Sequence, residues 1–490
     1  MLDSQFPILI RREPDFFYVT SSPFIPRSNI PAMTIRGYGL AGLGIACVAG
    51  ALLAQSPPRP DNLPSPGLAT PNFSQAVLKP PNVQLKVPSG FSVSIYAEGL
   101  PGVRWMQWAP NGDLFVSQYG RSTITVLRDT HNAGKPNLRM TYASGSGDNR
   151  RDPQQGGGAR RGPGGPPQPG FLSAPVDTVA AAIPCVADAT LPPGTTGIQN
   201  PMGMEFRSGF FYVANTDSVV RYKYTLGDLE AVGEPQKLVD LPSGGSHGWR
   251  NILFNRNGTK LYVTVGSASN NRAGEDCRRA AILEMNPDGT GLRIFASGLR
   301  NPEGLALHPR TNRLWTTVNE RDSLGDDLVP DYLTSVKEGG FYGWPYSYIG
   351  QHYDPRYVGG QPELVKKSIV PDVLIPAHSA PLGLAFYTGN QFPPHYREGA
   401  FVALHGSWNR STASGYKVVF VPFVNGMPGP IEDFLTGFLI NEGGRNPDGS
   451  MAPIIQWGRP VGVSVSPRDG SLFITDDQGG RIWQVKYKTP

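Results

Sequence analysis

The chain has 490 residues, of which 60 are glycine and 49 proline, with 17% charged residues and a formal net charge of +5. Turn formers at this density fit a turn-rich all-β chain. The positive balance is modest once the basic N-terminus and an Arg-rich insert are set aside. No Lys/Arg stripe interleaves with aromatics, which argues against a nucleic-acid partner.

Residues 1–36 precede an apolar run of small residues, GYGLAGLGIACVAGALLAQ, from Gly37 to Gln55. Arg36 stands before it, and Pro57 and Pro58 follow. This predicts a secretory signal peptide with an upstream extension, residues 1–56, cleaved near Ala51 or Ala54, and an exported protein, periplasmic or secreted. The opening MTIRGYGL makes Met33 a plausible true start. Membrane attachment would need the run to stay uncleaved or Cys47 to be lipidated. Residues 57–80 read as a Pro-rich leader, and 81–490 as the folded domain. Within it, residues 143–170 form a low-complexity insert whose composition predicts a mobile loop or lid. After cleavage Cys185 and Cys277 remain, as one disulfide or two thiols. No CxxCH haem motif occurs. Asn-x-Ser/Thr sequons lie at Asn72, Asn257 and Asn409.

A hairpin unit recurs along the domain: WMQWAPNGDLFVSQY from Trp105, PMGMEFRSGFFYVANT from Pro201, RNILFNRNGTKLYVTVGS from Arg250, and NPEGLALHPRTNRLWTTVNE from Asn301. It returns from Pro381 and from Pro460. Alternation of period two, broken by Asn-Gly and Asp-Gly, marks strands and hairpins. Several copies are followed by a third strand pattern. One such unit cannot bury both faces, and six copies in a ring can, so the expected fold is an all-β, six-bladed β-propeller. A pair of β-sandwiches is the alternative.

Gly244–Gly248 matches the G-x-S-x-G hydrolase elbow, but that motif needs a strand before the serine and a helix after it; here a β-run follows. His247, on the same Gly-rich loop, suits a general base of near-neutral pKa acting on a sugar hydroxyl, or else an ordinary surface histidine. The run NERDSLGDD offers Glu320, Asp322, Asp326 and Asp327 as hard oxygen donors of the kind calcium takes, or a solvated acidic turn. Arg300, Arg410 and Arg459 each sit in a loop beside a blade strand and could converge on a central anion. Trp344, Trp408 and Trp457 read as packing residues.

Four blocks carry a family resemblance: SGLRNPEGLALHP, TTVNERDSLGDDLVPDYLTSVKEGGFYGWP, HGSWNRS with GYKVVFVPF, and WGRPVGVSVSPRDGSLFITDD. In these the chain resembles the glucose/sorbosone dehydrogenase family, closest to its L-sorbosone dehydrogenase-like branch, over roughly Val87 to Tyr487. The resemblance implies a propeller carrying pyrroloquinoline quinone (PQQ) and calcium. It also implies oxidation of an aldose, a sorbosone-like aldehyde or a related sugar outside the cytoplasm, with an external electron acceptor. It places His247 at the catalytic base, with Arg300 stabilising charge on the quinone. It puts Gln199, Arg300, Asn301, His378, Arg410 and Arg459 at or near the cofactor. It places main-chain oxygens around Asp322 and Ser323 at the calcium. Ser267 stands where soluble glucose dehydrogenases have an aspartate supporting the base, and His378 where they have a smaller polar residue. A second cofactor arginine of those enzymes is replaced near Trp457. The rival readings are a calcium-dependent propeller lactonase and a non-catalytic binding propeller.

Overall fold

The computed structural model describes residues 60–145 and 191–488. Among them the alternating runs pair into six four-stranded antiparallel sheets. Sheet 1 holds Val103–Trp108, Leu114–Gln118, Thr123–Arg128 and Leu138–Ser144. Sheet 2 holds Met204–Arg207, Phe210–Ala214, Ser218–Lys223 and Gln236–Asp240. Sheet 3 holds Ile252–Phe254, Leu261–Val265, Ala281–Met285 and Arg293–Ser297. Sheet 4 holds Pro302–Leu307, Leu314–Val318, Asp331–Ser335 and Val373–Ile375. Sheet 5 holds Pro381–Phe386, Ala400–Leu404, Lys417–Val421 and Glu432–Leu435. Sheet 6 takes Pro460–Val465, Leu472–Asp476 and Arg481–Tyr487, and completes itself with Phe91–Glu98 from the other end of the domain.

Alternation puts apolar side chains on both faces of each sheet, and both faces are used. Phe115 and Tyr142 of sheet 1 pack with Phe211 of sheet 2. Tyr212 of sheet 2 packs with Phe254 of sheet 3, and Phe295 of sheet 3 with Leu305 of sheet 4. Trp315 of sheet 4 meets Phe386 of sheet 5, and Phe401 of sheet 5 shares a core with Trp483 of sheet 6. Phe473 of sheet 6 then joins Val103 and Leu114 of sheet 1. Each sheet thus sits between its predecessor and its successor, and the last meets the first. Two isolated sandwiches would not give this cyclic succession.

The first strands approach one another closely, and glycine permits it. A Cβ on Gly383 would lie 2.4 Å from the Val461 carbonyl oxygen, and one on Gly462 2.7 Å from that of Arg104. The sheet register shifts at this point between Val103 and Met106, Pro302 and Leu305, Pro381 and Leu384, and Pro460 and Val463. Such bulges leave a backbone N–H unpaired and re-aim a side chain. A second-strand hydroxyl takes up the N–H: Ser117 at Trp105 (3.1 Å), Thr317 at Gly304 (2.8 Å) and Thr475 at Gly462 (2.7 Å). Thr317 and Thr475 donate onward to the Leu382 and Arg104 carbonyls of the next sheet.

Helix is confined, among the described residues, to Pro362–Val365 and two short 3-10 turns. None is long and apolar enough to cross a membrane. The apolar run 37–55, Cys47, Cys185 and all of the insert beyond Gly145 lie outside the described residues. Cys277 is disulfide-bonded.

Candidate functional site

In a four-stranded antiparallel sheet, the start of the first strand and the end of the second lie at the same edge. His247, Arg300, Asn301, His378 and Arg459 all precede first strands, and Arg104 sits within one. Ser267, Asn270, residues 320–327, His405, Arg410 and Asp477 all follow second strands. The topology therefore brings both sets to one end of the ring.

His247 Nδ1 lies 2.8 Å from the Ser267 carbonyl oxygen and 3.1 Å from its hydroxyl. A carbonyl only accepts, so Nδ1 carries the proton and Nε2 keeps its lone pair. Burial, helped by Arg300 nearby, pushes the imidazole pKa down to about 3, so the ring is neutral. This is far below the near-neutral value expected from the loop sequence. Gly266 makes the close packing possible, since a Cβ there would lie 2.2 Å from Asn301 Oδ1 and 2.6 Å from His247 Cβ.

Arg300 is buried and donates to the carbonyls of Asn270, Asn319 and Glu320, and its NH2 group lies 3.2 Å from Asp322 Oδ2. Asp322 also faces His378 Nδ1 at 3.4 Å, while His378 Nε2 bonds the Gly325 carbonyl at 2.9 Å. Burial pushes the Asp322 carboxyl up, but the bond from His378 and the charge of Arg300 outweigh it, so it stays ionised. Asn301 donates to Glu303 Oε1 at 2.8 Å, while Asn301 Oδ1 and Glu303 Oε2 are buried without a protein partner. Burial drives Glu303 up to about 7.

The facing group comes from sheets 5, 6 and 1. His405 Nε2 sits 3.1 Å from both oxygens of Asp477, which also faces Arg104 at 3.3 Å. Arg459 donates to the carbonyls of His405 and Gly406, each at 3.1 Å. The Arg104 guanidinium lies 3.8 Å above the centre of the Trp249 ring, and Tyr119 meets Trp249 edge-on. Trp249 lies on the loop that carries His247, so Arg104 links this group to that loop.

The structure thus brings His247, Arg300, Asn301, Asp322 and His378 together and sets Arg459 in the facing group. Gln199 bonds Thr195, Asn215 and Thr216 within the loops of sheet 2. Arg410 turns to Asp327 at 2.9 Å and the Ala377 carbonyl at 3.4 Å.

The acidic run does not gather. Glu320 is buried and driven up to about 8 by desolvation. Asp326 accepts from Thr70 and Ser411, and Asp327 pairs with Arg410. The Asp322 carbonyl already accepts from Asn270 and Arg321, and the Ser323 carbonyl makes only a long contact with Arg321. Among the described residues no group of three or more His, Cys, Asp or Glu is arranged to hold a metal. Around Ser246 the chain is loop followed by strand Ile252–Phe254, so the hydrolase elbow is absent. Trp344 and Trp457 are buried; Trp408 is partly exposed and stacks on Phe73.

Sequence reading missed Arg104, Glu303, Trp249, His405 and Asp477. A signal existed for the first two. Arg104 and Glu303 occupy the bulge position that is Leu382 in sheet 5 and Val461 in sheet 6, so charges stand where two other copies of the repeat are apolar.

Residues 214–407 match the glucose/sorbosone dehydrogenase family and residues 364–488 a TrAA12-like family. The chain is 30% identical over 307 residues to an uncharacterized protein of Borreliella burgdorferi, covering 59% of this chain and 76% of that one. It is 32% identical over 127 residues to the pyrroloquinoline quinone-dependent pyranose dehydrogenase of Coprinopsis cinerea, covering 24% of this chain and only 16% of that protein. The holo form of the Coprinopsis pyranose dehydrogenase PQQ domain superposes with a TM-score of 0.60 at 19% identity, covering 84% of this chain and 98% of that one. The calcium structure of the Trichoderma reesei carbohydrate-active enzyme of family AA12 gives 0.61 at 18%, covering 85% and 99%. At such identities these two establish a shared fold. With residues 214–407 matching its model, the chain belongs to the glucose/sorbosone dehydrogenase family.

Proposed function

We propose that the six sheets are the blades of a six-bladed β-propeller and that the protein is an exported, PQQ-dependent oxidoreductase acting on an aldose, a sorbosone-like aldehyde or a related sugar. The observation that carries this is the charge at the site. Arg104, Arg300 and Arg459 all lie at this end of the sheets, with Asp322 and Asp477 as the ionised carboxylates beside them. Such an excess of guanidinium suits a planar polycarboxylate.

The residues fit the cofactor. Arg104, Arg300 and Arg459 would face its carboxylates, and the orphaned Asn301 Oδ1 supplies an acceptor. Calcium would find hard oxygens in the Asp322 carboxylate, held only by the long contacts at 3.2 and 3.4 Å, and in the Ser323 carbonyl. PQQ supplies hydride acceptance when bound. The chain's share is to orient the sugar and move its proton. His247, with Nδ1–H fixed on the Ser267 carbonyl, presents Nε2 to the anomeric hydroxyl or hydrated aldehyde. Burial is the larger cause of the low imidazole pKa, and an anionic ligand beside Arg300 offsets only the smaller part due to that guanidinium. Arg300, tied by three carbonyls, offers a preorganised positive charge that needs no rearrangement during reaction.

The test is to add PQQ and calcium to purified apoprotein. Bound quinone absorbance together with dye reduction on a sugar panel supports the reading. Lactone hydrolysis without quinone, or no binding at micromolar cofactor, rejects it in favour of a lactonase or a binding module respectively.

A further inference from the structure

From sequence, residues 57–80 read as a leader. The described part of that segment instead lies along the loops of the candidate site. Gly67 N–H donates to the Leu324 carbonyl at 2.9 Å, and Asn72 N–H to that of Trp408 at 2.9 Å. Thr70 N–H donates to Asp326 Oδ1 at 2.8 Å. The Asn72 side-chain amide donates to the Ser411 and Ala452 carbonyls, both at 2.9 Å. Phe73 stacks on Trp408 with ring centroids 5.3 Å apart, and Gln75–Ala76 pairs in parallel with Ile454–Gln456. Pro64, Pro66 and Pro71 restrict the unbound segment, so less entropy is lost in holding it extended.

Asp326 is where these contacts meet. Its Oδ1 takes Thr70, and its Oδ2 takes the Ser411 N–H at 2.9 Å and the Ser411 hydroxyl at 2.5 Å. One carboxylate therefore joins the leader, the loop 319–330 and the loop 405–416. Those two loops carry Asp322, which faces Arg300 and His378, and His405, which faces Asp477. Gly325, beside Asp326, supplies the carbonyl that holds His378.

We propose that residues 67–76 are a positioning strap, stapled by Asp326, that sets two loops of the cofactor pocket, one in each of its two groups of charged residues. Asp326 and Asn72 are then positioning residues and touch neither cofactor nor substrate. The proposal deepens the reading of the site as an anionic-cofactor pocket and rests on it.

Asp326→Ala and Asn72→Ala, each in the full chain, test it with two separate readouts. The first is hydrogen exchange of the apoprotein. Amides of 319–330 and 405–416 should exchange at least about tenfold faster in both variants, while Leu472–Asp476 in sheet 6 keeps its protection. The second is titration with PQQ and calcium, where the dissociation constant should rise about tenfold or more. Wild-type protection of both loops in both variants overturns the strap. Loosened loops with cofactor affinity within about twofold of wild type overturn its positioning role. Should the wild-type protein take up no PQQ, the functional reading fails, and the exchange measurement alone still decides whether the strap holds the loops.

Discussion

Arg104 sits over Trp249, 3.8 Å from the ring centre, while its NH1 group lies 3.3 Å from Asp477. Trp249 belongs to the loop that carries His247, and Asp477 follows the second strand of sheet 6, so one side chain spans the site. Stacking of a partly desolvated guanidinium contributes about 1–2 kcal/mol, and a lysine ammonium cannot lie flat in the same way. Arg104→Lys keeps the charge and loses the plane. PQQ affinity should fall about tenfold in that variant, and further in Arg104→Ala, which removes the charge as well. Equal affinity in all three proteins, measured by quinone absorbance titration, would take Arg104 out of the cofactor site.

The proposed base and its support can be tested separately. His247→Gln should reduce sugar turnover about a hundredfold or more while cofactor affinity holds, because only proton removal is lost. Ser267 replaces the aspartate expected behind the base, yet its closer contact with His247 Nδ1 is through the main-chain oxygen. Its hydroxyl is already donated to the Ser269 carbonyl at 2.6 Å. Ser267→Ala should therefore keep turnover within about fivefold of wild type, since the main chain still fixes the tautomer. A loss matching that of His247→Gln would mean that the hydroxyl orients the ring.

Much of this was legible in the chain itself. Short apolar runs mark the strands of all six sheets, with Asn-Gly turns in sheets 1 and 3 and Asp-Gly in sheet 6. The P-x-G opening of sheets 2, 4, 5 and 6 marks where first strands crowd together. His247, Arg300 and Asn301 were proposed from the loop motifs, and the fold places His247 and Asn301 against the same glycine. What was not legible lies where alternation breaks or where contacts are long-range. Arg104 and Glu303 sit in bulges, so their direction cannot be read from parity. The acidic run looked like one metal site because its carboxylates are adjacent in sequence. Folding sends Asp326 to Thr70 and Ser411, Asp327 to Arg410 and Glu320 into the core. No local pattern could report partners so distant along the chain.

Stability should fall as the solution becomes alkaline. Burial raises Glu205 and Glu320 to about 8, and Glu303 and Asp331 to about 7. For a carboxyl whose folded pKa lies above its unfolded value, the native state binds the extra proton. The stabilisation is complete below the unfolded pKa and is lost as pH rises through the folded one. His247 and His405, lowered to about 3 and about 4, act in the opposite sense, but only below their unfolded value of 6.5. Above that value His378 acts with the carboxyls: burial lowers it, but its bond to Asp322 raises it overall, so its stabilisation is also lost as pH rises. The apoprotein should melt at a lower temperature at about pH 9 than at about pH 6.5, and Glu303→Gln should shallow the slope. A melting temperature that climbs across this interval contradicts the assignment of protonated buried carboxyls.

The ring itself can be probed at one atom. Gly383 has an ordinary backbone conformation, so alanine is not strained there by its φ; what it lacks is room. Its Cβ would stand 2.4 Å from the Val461 carbonyl oxygen and 2.7 Å from the Val463 nitrogen. Both are main-chain atoms of the neighbouring first strand, and that strand is itself tied to Arg104 through Thr475. The clash can be relieved only by moving sheet 6 relative to sheet 5. Gly383→Ala should therefore destabilise the protein by about 1–3 kcal/mol. Gly209→Ala provides the contrast, since it has a positive φ of 75° but nothing within 4 Å of the added Cβ. It carries only the conformational cost of a left-handed residue, about 1–2 kcal/mol, and leaves the first strands where they are. Cofactor titration distinguishes the two: the Gly383 variant should bind PQQ more weakly, because displaced first strands carry Arg104 and Arg459 with them, while the Gly209 variant should bind it as wild type does. Unchanged stability in Gly383→Ala would mean that the first strands are not packed against one another as the sheets now place them.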